Sequence, residues 1–193
     1  MIKLNRPQCL NPQALKTNYK HPDNKNTLIS GNFDKCMYCE SKISHVYYGD
    51  IEHIKPKNKF PDLEFSWENL GYACAQCNGI KSDKYDEDNP ILNPYADNPL
   101  NHIVALGAIM THNSRKGQFT IQKLTGVHLN RAPLIERRQA KINEIERILE
   151  IWEKLPDGDF KTSAIEDLKK ETEEDKEYSF CIKSLFTVKG IIK

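Results

Sequence analysis

The sequence predicts an α+β fold, with a small unit of two strands and a helix followed by a mostly helical C-terminal half. Three observations support it. Two CxxC pairs, 36-CMYC-39 and 74-CAQC-77, bracket a strand-like stretch, and an apolar stripe of helical spacing follows after residue 130. The 193 residues suit one domain, or one domain with an appendage. We expect a core over residues 1–100 and a hairpin with helices over 101–193.

Composition narrows the classes of protein that fit. The formal net charge is +1, so any contact with nucleic acid must come from local basic patches. No stretch approaches 18 consecutive apolar residues, which argues against a membrane span. The first residues, MIKLNRPQCLNPQ, contain no apolar run typical of a signal peptide, and the cytoplasm is the expected location.

The elements of the first half are short. The polar residues 1–35 predict two small helices, near 12–18 and 26–30, with Pro12 suited to a first helical turn. The segment 46-VYYGDIEHI-54 is rich in β-branched and aromatic residues and predicts a strand. After a loop with two prolines, 70-LGYA-73 predicts a second strand. A helix is expected from Ala75 to about Lys84.

The second half begins with a loop of Asn-Pro turns over 85–101. Residues 102-HIVALGAIMTH-112 predict a strand or hairpin, and a short helix is expected near 119–124, ending at Gly126. A last helical region is expected over 160–188, with the charged run 169-KKETEEDKE-177 as a solvated face.

The clearest helix is expected after Asn130, which is a suitable N-cap, with Pro133 in the first turn. Its apolar positions follow spacings of 7, 3, 4 and 3 and are Ile135, Ile142, Ile145, Leu149 and Trp152. This stripe indicates a core face or a subunit interface. Arg137 and Arg138 are expected on the polar side of this helix, where they could face phosphates, although a charged helix face usually faces solvent.

Four of the six cysteines have the spacing of metal ligands. Each CxxC offers two thiolates on a tight turn, and two such turns complete a closed, structural zinc site. The predicted ligands are Cys36, Cys39, Cys74 and Cys77. The alternative is a set of unrelated surface cysteines. Cys9 and Cys181 stand alone and are expected to be ordinary thiols.

The gap between the two cysteine pairs holds the residues that suggest chemistry. It spans 34 residues, whereas a zinc ribbon has about 15–20. It contains 50-DIEHIKPK-57 and 67-WENL-70, and Asn78 follows the last cysteine. A carboxylate of Asp50 or Glu52 and an amide oxygen can hold a hard cation such as Mg²⁺.

A general base and a phosphate anchor would complete this site. The neutral imidazole of His53 can take a proton from water. Lys81 lies three residues after Asn78 on one helix face and could reach a phosphate. These residue types are the parts needed for metal-assisted phosphodiester hydrolysis.

This order of motifs resembles the HNH endonucleases, also called ββα-metal or His-Me finger nucleases, in their zinc-stapled form. The resemblance implies that His53 is the general base, that Glu52 binds Mg²⁺ or Mn²⁺, and that Asn69 orients the histidine. Asn78 stands where many members carry a second metal-binding histidine, and Glu52 where most carry Asp. These departures leave open whether Glu52 or Asp50 binds the metal.

Each of these residues also has a structural interpretation. His53 could be a core histidine, Asn69 a turn cap, and Asn78 a plain helix residue. Lys81 could be solvated, and 55-KPKNK-59 could be either a basic nucleic-acid contact or a polar loop. The combination of all of them in one gap favours catalysis.

A narrower resemblance covers most of residues 1–155. Its motifs are 35-KCMYCE-40, 51-IEHIKPK-57, 76-QCNGIKSDK-84, 92-LNP-94 and 121-IQKLTGVHLNR-131. They are similar to the HNH subunits of Septu-type and retron-associated anti-phage systems, often called PtuB-like. The resemblance implies a defence nuclease that works with an ABC-class ATPase, docked through 101–193. It acts on nucleic acid, with DNA favoured and RNA such as tRNA open. The alternative is a non-catalytic subunit that binds nucleic acid or the ATPase.

Overall fold

The structure is a computed structural model that describes residues 1–45 and 48–192. The strand predicted over 46–54 is shorter than expected: β1 runs Asp50–His53, and residues 46 and 47 of the prediction lie outside the described residues. β2 runs Leu70–Ala73 as predicted. The two strands pair antiparallel, with Asp50 opposite Ala73 and His53 opposite Leu70.

Helix α3, Ala75–Lys81, follows β2 directly and completes the predicted unit of two strands and a helix. Its N-cap is Cys74, whose sulfur accepts a hydrogen bond from the backbone N–H of Cys77 at 3.4 Å. The predicted end at Lys84 is wrong. Ser82 has φ +49°, in the left-handed region that ends a helix.

The N-terminal segment forms the two predicted short helices, α1 at Pro12–Leu15 and α2 at Pro22–Gly31. The second begins four residues earlier than expected because Pro22 occupies its first turn. Arg6 fixes this segment to the strand unit, since its guanidinium donates to the carbonyls of Trp67 at 2.7 Å and Leu70 at 2.8 Å. The segment therefore packs beside β2.

The predicted hairpin is present, with β3 at Ile103–Leu106 and β4 at Ile109–His112. The helix expected near 119–124 is instead α4, Arg115–Ile121. The error has a local cause: the hydroxyl of Ser114 accepts from the N–H of Gly117 at 3.1 Å and starts the helix earlier.

The long helix is α5, Ala132–Glu153, with Pro133 in its first turn as predicted. Asn130 is not its N-cap. The Asn130 amide instead pairs with the backbone N–H and C=O of Met110, at 2.8 and 2.7 Å, so that Arg131 precedes the helix. A tertiary contact with β4 thus takes the side chain that the sequence assigned to capping.

The apolar stripe of α5 faces the core. Ile142, Ile145 and Leu149 are buried, and Ile135 and Trp152 pack partly buried against the same core. The expectation that Arg138 faces solvent is wrong, because it is 1% exposed and donates to the carbonyls of Leu129 and Ala108.

The last helical region divides into α6, Asp159–Lys169, and α7, Ser179–Val188. Helix α7 packs into the same core as the strand unit, with Phe186 and Ile182 fully buried. The carboxylate of Glu40 accepts from Ser179 Oγ at 3.2 Å, which links the two halves. The division into residues 1–100 and 101–193 that the sequence suggested therefore passes through one shared core.

The charged run 169–177 is solvated only in part. Lys35 donates to the carbonyl of Lys176 at 2.8 Å, and Glu177 accepts from the N–H of Lys42 at 2.9 Å.

Among the described residues, no helix has both the length and the apolar character needed to cross a bilayer.

Candidate active site

The four cysteines of the two CxxC pairs lie at one end of the strand and helix unit. Their sulfur atoms all lie within 4.8 Å of one another, and the Cys39 and Cys74 sulfurs are 3.8 Å apart. A tetrahedral zinc with Zn–S bonds of about 2.3 Å requires sulfur atoms about 3.8 Å apart. Three of the four residues are buried. The set fits a closed zinc site.

Arg131 lies next to these thiols, a contact that the sequence did not indicate. Its Nη2 donates to Cys77 Sγ at 3.4 Å and its Nε donates to Gln76 Oε1 at 3.1 Å. Burial lowers the pKa of Arg131, but the neighbouring thiols outweigh that effect and raise the pKa above its ordinary value. The guanidinium can offset part of the negative charge that four thiolates would carry.

The other end of the same unit opens into a polar cleft of about 250 Å³. Four of the predicted site residues, Asp50, Glu52, His53 and Asn78, line it together, although Glu52 is almost fully buried. They come from β1 and from the first turn of α3. Pairing of the strands and closure of the cysteine site bring these elements together.

His53 is held in a defined orientation. Its Nε2 lies 2.9 Å from the backbone oxygen of Glu64. A carbonyl only accepts, so Nε2 carries the proton, and the neutral ring leaves the lone pair of Nδ1 free. Burial, as the largest influence, lowers the pKa of His53, which favours that neutral form at pH 7.

Asp50 and Asn78 meet across the unit. Asn78 Nδ2 donates to Asp50 Oδ2 at 3.1 Å, which joins β1 to α3 beside His53. Both side chains are partly exposed. One carboxylate and one amide therefore face the cleft, and their oxygens are the type of donor that a hard divalent cation takes.

Glu52 and Lys81 are placed differently from the other predicted site residues. Glu52 is 2% exposed and Lys81 is fully buried, with Lys81 Nζ 2.5 Å from Glu52 Oε1. Lys81 Nζ also donates to the carbonyl of His53 at 2.7 Å, and Tyr38 donates to Glu52 at 3.3 Å. Burial raises the pKa of Glu52 more than Lys81 lowers it. This arrangement does not present Lys81 to a phosphate.

Asn69 touches the backbone around His53 and not the imidazole itself. Its side chain accepts from Lys55 N–H at 2.7 Å and donates to Lys55 C=O at 2.9 Å. A further bond goes to the Leu63 carbonyl at 3.2 Å. Because Glu64 follows Leu63, Asn69 holds the loop whose carbonyl orients the imidazole.

Three residues of the cleft region were not singled out from the sequence. Tyr19 and Lys20 come from the N-terminal segment, where no motif marks them, and Glu64 acts through its backbone. Lys57 lies in 55-KPKNK-59, for which a basic contact and a polar loop were equal alternatives. It lines the cleft.

Comparisons with known proteins agree with this geometry. Residues 36–84 match the family model of HNH endonucleases. The chain is 31% identical over 172 residues to Septu protein PtuB of Bacillus thuringiensis, covering 79% of this chain and 66% of that protein. It is 30% identical over 161 residues to Septu protein PtuB of Bacillus mycoides KBAB4, covering 66% and 54% respectively. The chain thus spans about two thirds and about half of these relatives.

Proposed function

Because the chain is a PtuB-like protein with an HNH endonuclease domain, we propose that it is a nuclease of an anti-phage defence system that hydrolyses phosphodiester bonds. One observation carries the proposal. His53, whose Nε2–H bond to the Glu64 carbonyl leaves Nδ1 unprotonated, lines a cleft that also holds the Asp50–Asn78 pair. A base beside hard oxygen donors is the arrangement that metal-assisted phosphodiester cleavage needs.

His53 acts as the general base. Nδ1 accepts a proton from a water molecule, and the oxygen of that water forms a bond to phosphorus. The bond between phosphorus and one bridging oxygen breaks, and that oxygen leaves with the electron pair and takes a proton from solvent. The Nε2–H bond to Glu64 stabilises the imidazolium formed in this step.

Asp50 and Asn78 are the proposed ligands of a divalent ion, Mg²⁺ or Mn²⁺. Glu52, the other predicted ligand, is supported less well because Lys81 neutralises it in the core. Asp50 instead opens to the cleft within 3.1 Å of Asn78. When bound, the ion would polarise the phosphate and stabilise the leaving oxygen. Cys36, Cys39, Cys74 and Cys77 would hold a structural Zn²⁺.

DNA is the favoured substrate in this proposal, and RNA such as tRNA is the alternative that the first assay must include. The similarity to Septu protein PtuB supports a further proposal, that an ABC-class ATPase subunit works with this chain. The net charge of +1 supports it as well, because a partner would supply much of the long-range attraction to nucleic acid.

The first test is cleavage of plasmid DNA and of bulk tRNA by the purified chain. Reactions contain Mg²⁺ or Mn²⁺, or EDTA, and compare wild type with His53→Ala. We expect metal-dependent cleavage that falls about 10²–10⁴-fold in His53→Ala, with bound zinc unchanged. His112→Ala is the matched control, since His112 is exposed and does not line the cleft.

The outcomes separate the alternatives. Residual cleavage by His53→Ala within a few-fold of wild type would remove His53 from the mechanism. If wild type cuts neither substrate, the assay is repeated with the ATPase added, and cleavage gained only then supports gating by the partner. Binding without cleavage under both conditions would favour a non-catalytic subunit. Asp50→Asn should abolish the metal-dependent cleavage. Glu52→Gln should retain it.

A further inference from the structure

One side of the cleft is built by residues that precede the matched HNH region. That region covers residues 36–84, yet Tyr19 and Lys20 line the cleft together with His53. They lie between α1 and α2, in the part of the segment that runs past β1. The N-terminal segment therefore contributes directly to the candidate site.

Tyr19 is the centre of this side of the cleft. Its ring meets the imidazole of His53 edge to face, with ring centroids 4.6 Å apart and planes at 73°. Lys57 Nζ lies 5.1 Å from the centroid of the tyrosine ring and Lys20 Nζ lies 5.6 Å from it. Cation–π attraction and packing thus place two ammonium groups around one ring that touches the base.

Lys57 is fixed further by the loop that orients His53. Its Nζ lies 2.8 Å from Glu64 Oε1, while the backbone oxygen of the same Glu64 accepts from the imidazole. The Lys57 side chain stays 42% exposed, and Lys20 is exposed too. Both lysines therefore line the cleft with side chains open to solvent, unlike the fully buried Lys81.

We propose that Lys20, Tyr19 and Lys57 form an anchoring wall that binds a backbone phosphate next to the one on which His53 acts. The proposal rests on the proposed function for the identity of the ligand as a nucleic acid. The two lysines bind the phosphate oxygens as point charges. Tyr19 is a positioning residue, since it holds both ammonium groups and restrains the imidazole.

The test measures binding in the His53→Ala background without added divalent ion, so that no cleavage interferes. The probes are a fluorescent 20-nucleotide DNA single strand and its duplex, titrated over a range of salt concentrations. Each phosphate contact contributes about 0.9 to the slope of log K against log salt for duplex DNA and about 0.7 for a single strand. Because the two lysines share one phosphate, the double variant Lys20→Gln/Lys57→Gln should reduce the slope by roughly one phosphate contact, about 0.9 for the duplex and about 0.7 for the single strand.

Two controls make the result specific. Lys154→Gln removes an exposed lysine at the end of α5, away from the cleft, and should leave the slope unchanged. Lys57→Arg keeps the charge and should keep the slope. If the folded double variant has the same salt slope as wild type, the proposal that these residues bind a phosphate is wrong.

Kinetics test the role of Tyr19 separately. In the otherwise wild-type enzyme, Lys20→Gln should raise KM with kcat nearly unchanged. Tyr19→Ala should raise KM and also lower kcat, and Tyr19→Phe should restore both because the ring remains. Equal kcat in Tyr19→Ala and wild type would exclude positioning of His53. If wild type cleaves nucleic acid but the double variant has an unchanged salt slope, the anchoring wall is rejected and the proposed nuclease activity stands. If the double variant has a reduced slope but wild type does not cleave, the proposed nuclease activity is rejected and the wall stands.

Discussion

The two ends of the strand and helix unit differ although they share the same elements. Cys77 and Asn78 are consecutive residues of α3, yet Cys77 is fully buried among three other thiols and Asn78 lies half-buried in the cleft. One end is closed by soft donors, and the other is open and lined by oxygen donors. The comparison indicates that a rigid, closed end holds the elements in place so that the open end can remain polar and accessible.

Two lysines near His53 repeat this contrast. Lys81 is fully buried and binds both Glu52 and the carbonyl of His53, whereas Lys57 is 42% exposed and lines the cleft. The first lysine stabilises the strand that carries His53. The second pairs with Glu64 at the surface of the cleft, where we propose that it meets a phosphate. Residue type alone does not separate these roles, and burial does.

Removing one thiol should have the largest effect. We expect Cys77→Ser to lose zinc and with it much of the folded structure, because structural zinc contributes on the order of 10 kcal/mol in small domains. Bound metal measured by mass spectrometry, together with circular dichroism, tests this expectation. Cys9→Ser is the control, since Cys9 is not one of the four clustered cysteines and its thiol donates to Asn24 Oδ1 at 3.3 Å. Full zinc content and an unchanged melting curve in Cys77→Ser would show that the cysteine end does not hold the unit together.

Breaking the buried ion pair should have the next largest effect. We expect Lys81→Met to lower the free energy of unfolding by about 3–5 kcal/mol, because it leaves the carboxylate of Glu52 buried and unpaired. Urea unfolding measures the change. The double variant Glu52→Gln/Lys81→Met should recover most of the loss. Lys169→Met, from the surface pair with Glu166, should change stability by less than about 1 kcal/mol.

An equal, small effect of Lys81→Met and Lys169→Met would show that Lys81 is not held in the core. Phosphate binding by Lys81 would then return as an alternative. The comparison of the two lysines depends on this outcome.

A smaller effect on stability than that of Lys81→Met is expected from Asn69→Ala. Loss of its bonds to Lys55 and Leu63 should cost about 1–3 kcal/mol. Because the loop also carries the Glu64 carbonyl, cleavage should fall by more than the fraction unfolded explains. Activity measured well below the melting temperature checks this, with Asn130→Ala as the control, since Asn130 likewise bonds the N–H and C=O of one residue, Met110, away from the cleft. Equal activity in both variants would reduce Asn69 to a structural role.

The sequence predicted the parts of this site that depend on short spacings. The CxxC pairs, β2, the hairpin and the stripe of α5 are patterns within a few residues of one another, and local geometry alone fixes them. The role of Asn130 was missed because its side chain bonds to Met110, 20 residues away in the chain. The start of α4 was also missed, although its cap, the bond from the N–H of Gly117 to Ser114, is local.

The residue types and their order determined by themselves that this protein has a four-thiol site and a histidine placed near carboxylate and amide groups. Only the tertiary structure decided that Asp50 faces the cleft while Glu52 is neutralised by Lys81, and that Tyr19 packs on His53. The physical reason is that burial and charge pairing depend on segments far apart in the sequence. Tyr38, Glu64 and the N-terminal segment meet β1 only in the folded chain.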